Sequence, residues 1–274
     1  MPKRLLGLLL VTPALAVIAA FFILPLIMSA VGAFKVDGGV FGLGNFYKTF
    51  DLYMNDIVFT VVIVSISTAL VGLGAIAIGG YLTLGEHPLA VSILRWLYRW
   101  PMFIPFIVVG QILRTFLSKN GMMNNTFISL GLMTPLDATS FLDWRGIVIA
   151  FVWKQTPFVA LLVAGAMASI NRDTIEAARN LGASRLRVLV EIVVPQVAVT
   201  LTVGLILSFV TMMSVLSVPL MINAQSPTML TTDIAFRVNA YGDYGVANAL
   251  GLVSLVLASS VAWMYLRQNL KERA

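Results

Sequence analysis

The chain has 274 residues, 59% of them hydrophobic and only 11% charged, with a net charge of +6 and no cysteine. Soluble domains carry about 25% charged residues, so this composition excludes an ordinary water-soluble enzyme and suits a bilayer. Disulfides and thiolate metal sites are excluded outright, and the single histidine, His87, cannot assemble a zinc cluster.

Spanning about 30 Å of hydrocarbon takes roughly 20 helical residues. The run from Leu5 to Phe34 carries no charge. Lys3, Arg4 and the Ala14-Leu15-Ala16 triplet give its start the look of a secretory leader. Its apolarity nevertheless continues far past a leader's core of about 7–15 residues, which predicts an uncleaved first span. Ile57 to Gly85 is the second charge-free run. Trp100 to Leu113 is a shorter third, short enough to be interfacial instead; it is bounded by Arg99 and Arg114, whose side chains could snorkel to opposite interfaces and lengthen it. Gly146 to Asn171 is the fourth, interrupted only by Lys154. Ile192 to Thr232 holds a fifth span and a loop, and Tyr244 to Leu266 is the sixth. The pattern predicts an all-α, polytopic transmembrane bundle of about six spans, organised as a single domain over residues 1–274. A transmembrane barrel would instead show strands of about 9–11 residues with alternating polarity.

With the amino terminus inside, eleven Lys and Arg residues fall in inside segments and six in outside ones. This bias predicts cytoplasmic termini. It also explains the basic charge without nucleic acid, which is not an expected partner. The predicted outside loops are Lys35–Asp56, Ser118–Arg145 and Asn223–Asp243. Inside, Glu86–Arg99 mixes charge with Trp96, Leu97 and Tyr98, as interfacial segments do. No GxxxxGK[ST] phosphate loop is present, so any ATP that drives the protein must bind elsewhere.

The inside loop between spans four and five, residues 171–195, is the most informative. Asp173 and Glu176 are spaced as a capping box, with Asp as the cap. Ala177 and Ala178 favour helix, and Gly182 suits the left-handed position beyond a helix end. The spacing predicts a two-turn helix from Thr174 to Leu181, with Ile175, Ala178 and Leu181 as a small apolar face. A second helical stretch, Ser184 to Val194, leads into Pro195. A helix this short is marginal alone, so it must pack on something: its own chain, as a plain connector, or a partner's groove, as a docking element.

Glu176-Ala177-Ala178, then Gly182, then Ile192-Val193-Val194-Pro195 resembles the EAA motif of ABC importer permeases, with Val194 where Leu is usual. Leu24-Pro25, Gly42-Leu43-Gly44-Asn45-Phe46 and Trp153-Lys154-Gln155-Thr156-Pro157-Phe158 also look like this family, so the resemblance covers nearly the whole chain. It implies a type I importer in a bacterial or archaeal cytoplasmic membrane. Two permease subunits, similar or identical, would form the pathway, two ATPase subunits would bind ATP and Mg, and an extracytoplasmic binding protein would deliver the solute. This chain would bind no cofactor and catalyse nothing. Asp173, Glu176, Ala177, Ala178 and Gly182 would couple it to an ATPase subunit.

Polar groups at membrane depth are candidate pathway residues. Lys154, Gln155, Gln111 and Arg114 fit, although a lysine in a span also has the structural option of pairing with a carbonyl or snorkelling. Met212, Met213, Phe103 and Phe106 read as packing. The segments Arg114–Asn125 and Asn239–Leu250 look most like permeases of the polyamine, iron, thiamine and phosphonate group. The Trp153–Phe158 block also occurs in sugar permeases. A polyamine-like solute is therefore the first expectation and a sugar the alternative. A secondary transporter, a channel and a membrane hydrolase are the competing classes. No Asp or Glu interrupts the six assigned spans, which argues against a proton-coupled carrier, and none of the three explains the loop at 171–195.

Overall fold

The computed structural model describes residues 3–36, 39–223 and 225–272. Five helices among them are long and apolar enough to cross a membrane: Val11–Phe34, Gly44–Leu84, Trp144–Ala168, Arg185–Ser214 and Tyr244–Trp263. The predicted third span is different. Pro88–Phe103 and Phe106–Ser129 qualify only as a pair, bent by 104°.

The break is written in the prolines. Helix α4, Pro88–Leu97, is followed by a single 3-10 turn, Trp100–Phe103. Ile104, immediately before Pro105, is extended at φ −86° and ψ 123°, as the ring of a following proline requires. Helix α5, Phe106–Leu117, then sets off in a new direction. The expected continuous helix from Trp100 to Leu113 is therefore corrected to a broken segment. Its flanking arginines do not simply reach for opposite interfaces: Arg99 Nε donates to the Tyr98 hydroxyl at 3.2 Å, and Arg114 Nη1 donates to the Met221 carbonyl at 3.1 Å.

The first span runs from α1, Lys3–Ile18, through a π turn at Ala19–Ile23 into α2, Leu24–Phe34. The fifth has the same construction: α9, Arg185–Val188, a π turn at Leu189–Val193, then α10, Val194–Ser214. Each π turn closes one residue before a Leu-Pro or Val-Pro pair, at Pro25 and Pro195. A proline inside a helix removes one N–H and pushes its ring at the carbonyl four residues back. The wider turn absorbs that clash, with Leu24 and Val194 N–H bonding the carbonyls of Ala19 and Leu189 instead.

The remaining elements are α3, Gly44–Leu84; α6, Met122–Ser129; α7, Trp144–Ala168; α8, Arg172–Asn180; α11, Ser217–Ile222; α12, Leu230–Asn239; and α13, Tyr244–Glu272. They fall into two compact units, Met1–Asn55 with Asp233–Leu257, and Asp56–Thr232 with Ala258–Ala274.

In the first unit, Asn45 closes the turn after α2: its Nδ2 donates to the carbonyls of Ala33 and Lys35 at 2.9 and 2.7 Å. Phe34 and Phe46 stack across the same turn at 5.0 Å. Ser29 on α2 donates to Asn248 on α13 at 2.9 Å. Arg237 donates to the Tyr53 hydroxyl at 2.6 Å and pairs with Asp243 at 3.3 Å.

The second unit holds a buried hydrophobic core. Val71 and Ala75 of α3, Val159, Ala160, Val163 and Met167 of α7, and Val188, Val193 and Val197 of α9 to α10 pack in one cluster. Gly204 lets α10 approach α7 closely: a Cβ there would stand 3.3 Å from Val159 and Leu162. Asp56 and Thr60 on α3 take the N–H groups of Thr228 and Leu230 at 2.6 and 3.0 Å, holding the approach to α12.

Candidate functional site

The predicted loop helix exists as α8, Arg172–Asn180, two residues earlier than its expected start. Its cap is Asn171 rather than Asp173. The Asn171 Oδ1 accepts the Asp173 N–H at 2.9 Å, so Asp173 sits in the first turn, where its charge favours the helix dipole. The two positions compete because Asn and Asp cap about equally well.

The far end closes as expected. Gly182 has φ +85°, and its N–H bonds the Arg179 carbonyl at 2.9 Å while Ala183 N–H bonds Ala178 at 3.1 Å. This pair of bonds is the Schellman closure. With no Cβ, Gly182 takes the left-handed conformation without strain.

One residue ties α8 inward. Ile175 is buried in the core cluster with Val163, Met167 and Val193, and Ala178 packs on its edge. Leu181, expected on the same apolar face, is instead 89% exposed, and Leu186 is 71% exposed. Glu176 and Ala177 also face outward. So α8 is fastened by one side and presents the other.

Glu86, which sequence reasoning passed over, makes a second fastening. Its Oε1 accepts from Arg179 at 2.8 Å, and its Oε2 pairs with Arg185. Hydrogen bonds from Arg185 and then Arg179 hold its carboxyl below the usual carboxylate range. A signal existed: Glu86 is the sole acidic residue between Asp56 and Asp137. An open cavity of about 560 Å³ lies beside this contact, its lining including Arg95, Arg99, Arg172 and Glu176.

The predicted pathway residues do not converge. Lys154 Nζ donates to the carbonyls of Pro101 and Met102 at 2.9 and 2.7 Å and lies 5.4 Å from the Phe106 ring centre. It therefore supplies donors at the break before α5, the structural option. Gln155, its neighbour, is 6% exposed and belongs to the buried face of α7. Arg114 closes the end of α11 through Met221. Gln111 is exposed on α5.

Residues 73–273 match the family of binding-protein-dependent transport system inner membrane components. The chain belongs to this family. It is a non-catalytic ABC importer permease, multi-pass in the membrane, and nucleotide is bound by separate ATPase subunits. The permease is 29% identical over 275 residues to the trehalose/maltose transport system permease protein MalF of Thermococcus litoralis, covering 96% of this chain and 92% of that protein. It is 25% identical over 284 residues to the sulfoquinovosyl glycerol transport system permease protein SmoG of Agrobacterium fabrum, covering 96% and 90%. Its fold is that of a type I importer permease. A chain of a bacterial alginate ABC transporter, crystallised in complex with an alginate pentasaccharide-bound periplasmic protein, superposes with a TM-score of 0.81 at 22% identity, over 96% of this chain and 93% of that one.

Proposed function

We propose that this permease carries a sugar or a sugar-like glycoside inward, with α8 as the helix that couples it to an ATPase subunit. The observation that carries the cargo reading is the likeness, over nearly the full chain, to permeases named for a disaccharide and for a sulfoquinovosyl glycerol. The Trp153–Phe158 block agrees with it. A polyamine-like cargo has less support. In the segment behind that reading, Arg114 is engaged with the Met221 carbonyl, and Asn124 fastens the loop by donating to Lys119 and Thr139 carbonyls at 2.9 and 2.8 Å. In the other, Asp243 is paired with Arg237. These are architectural roles. Lys154 likewise has its ammonium on two carbonyls, so it gives no indication of the cargo's charge.

In this reading a second permease subunit completes the pathway, and a binding protein delivers solute from outside. Both termini lie in the cytoplasm, following the charge bias. The exposed Leu181, Leu186, Glu176 and Ala177 meet the ATPase. When ATP closes the ATPase pair, α8 is displaced. Ile175 passes the displacement to α7 and α10, because packed cores shift between arrangements rather than deform continuously. The single-domain organisation over residues 1–274 is part of the same proposal: one chain carries both pathway and coupling loop.

The test is uptake by the complete transporter, reconstituted with its cognate binding protein. Labelled disaccharides and glycosides should enter in an ATP-dependent way, and excess spermidine should not compete. Saturable spermidine uptake with no sugar uptake would reverse the assignment.

A further inference from the structure

The Glu86 contact joins three elements. Glu86 follows α3 by two residues, Arg179 lies in the last turn of α8, and Arg185 opens α9. One carboxylate thus holds both sides of the Gly182 turn against the cytoplasmic end of α3, with one oxygen on each guanidinium. Ile175 and Ala178 pack one side of α8 on the core, which leaves the end at Arg179 held by the Glu86 contact. That fastening limits how far this end tilts. The side chains concerned are about half exposed, so the contact adds little to global stability. Its consequence is directional: it fixes where α8 points.

We propose that Glu86 is a positioning residue for energy coupling, an ionic staple that sets the resting angle of α8 and makes displacement of α8 pull on α3 as well as on α7 and α10. The inference rests on the reading of α8 as the coupling helix. Without the staple, part of each ATPase stroke tilts the Arg179 end of α8 instead of moving the spans, and ATP is hydrolysed without import.

The experiment uses the complete transporter in proteoliposomes and reads ATP consumed per solute imported. Glu86→Gln keeps the size but removes the charge and replaces one of the two accepting oxygens with a donating NH2. It should assemble normally and raise ATP per solute about threefold, a factor within reach of an exposed ionic contact. Raising salt should increase the ratio in the wild type and leave it unchanged in Glu86→Gln, since exposed ion pairs are screened. A merely structural role would not produce that difference. The reversed staple, Glu86→Arg with Arg179→Glu and Arg185→Glu, should restore a low ratio. Equal ratios and equal salt responses in wild type and Glu86→Gln, with normal assembly, would overturn the staple. A control separates the underlying reading: Leu181→Asp, on the presented side, should lose the ATPase subunit. If Leu181→Asp retains a fully coupled ATPase, the coupling-helix reading fails, and the staple with it.

Discussion

Lys154 Nζ stands 2.7 Å from the carbonyl oxygen of Met102, which belongs to the 3-10 turn where the third membrane segment breaks. Carbonyls released at a helix break need donors, and in hydrocarbon water cannot serve. The lysine at mid-span and the proline-broken segment beside it are thus one feature. Each makes the other tolerable.

Lys154→Met should therefore act on stability. It removes the lysine donor from the Met102 carbonyl, while the Pro101 carbonyl keeps the Ile104 N–H at 3.3 Å, at a cost of about 1–3 kcal/mol. Lys154→Arg, which keeps a donor, should recover most of it. Thermal unfolding of the purified permease in detergent measures both. A Met variant with unchanged unfolding but altered import kinetics would restore Lys154 to the solute pathway.

Asn171→Ala should weaken α8 by about 1 kcal/mol, the usual value of an N-cap. Asp173→Ala should cost less, because it loses only an exposed charge near the dipole. Hydrogen exchange across residues 172–180 reads the difference. Faster exchange in Asp173→Ala than in Asn171→Ala would reverse the assignment of the cap.

Ile175→Ala tests the inward anchor. Deleting most of a buried isoleucine costs about 2–5 kcal/mol in a well-packed site and less where collapse is easy. The spans are untouched, so membrane levels should hold while coupled import falls. Loss of membrane insertion would show that Ile175 matters for folding first.

Much of this organisation is legible in sequence because hydropathy adds along the chain. The first, second, fourth, fifth and sixth apolar runs became long helices, although α3 extends to Gly44 and takes in Asp51 and Asp56. The third run failed because composition does not register direction: Pro101 and Pro105 break the helix inside an apolar stretch. The Gly182 turn was readable from one residue's conformational need. The cap was misplaced because Asn171 and Asp173 are both good caps, and Glu176 falls at the right distance from Asp173. Glu86 was missed because its partner Arg179 is 93 residues away, beyond any local pattern. What the polar residues of the spans touch was not legible, since sequence cannot show that Lys154 and Arg114 donate to backbone carbonyls.

The central claim is that α8 couples a separate ATPase to import. The most direct measurement is substrate-stimulated ATP hydrolysis by the reconstituted transporter carrying Gly182→Val or Glu176→Lys, with ATPase co-purification recorded alongside. Valine at φ +85° strains the turn by about 1–2 kcal/mol, and lysine at position 176 reverses a charge on the presented face of α8. The account predicts normal membrane levels and a fall of about tenfold in stimulated hydrolysis, the factor matching about 1.4 kcal/mol of strain. Wild-type hydrolysis and import in both variants would contradict it and reduce α8 to a connector.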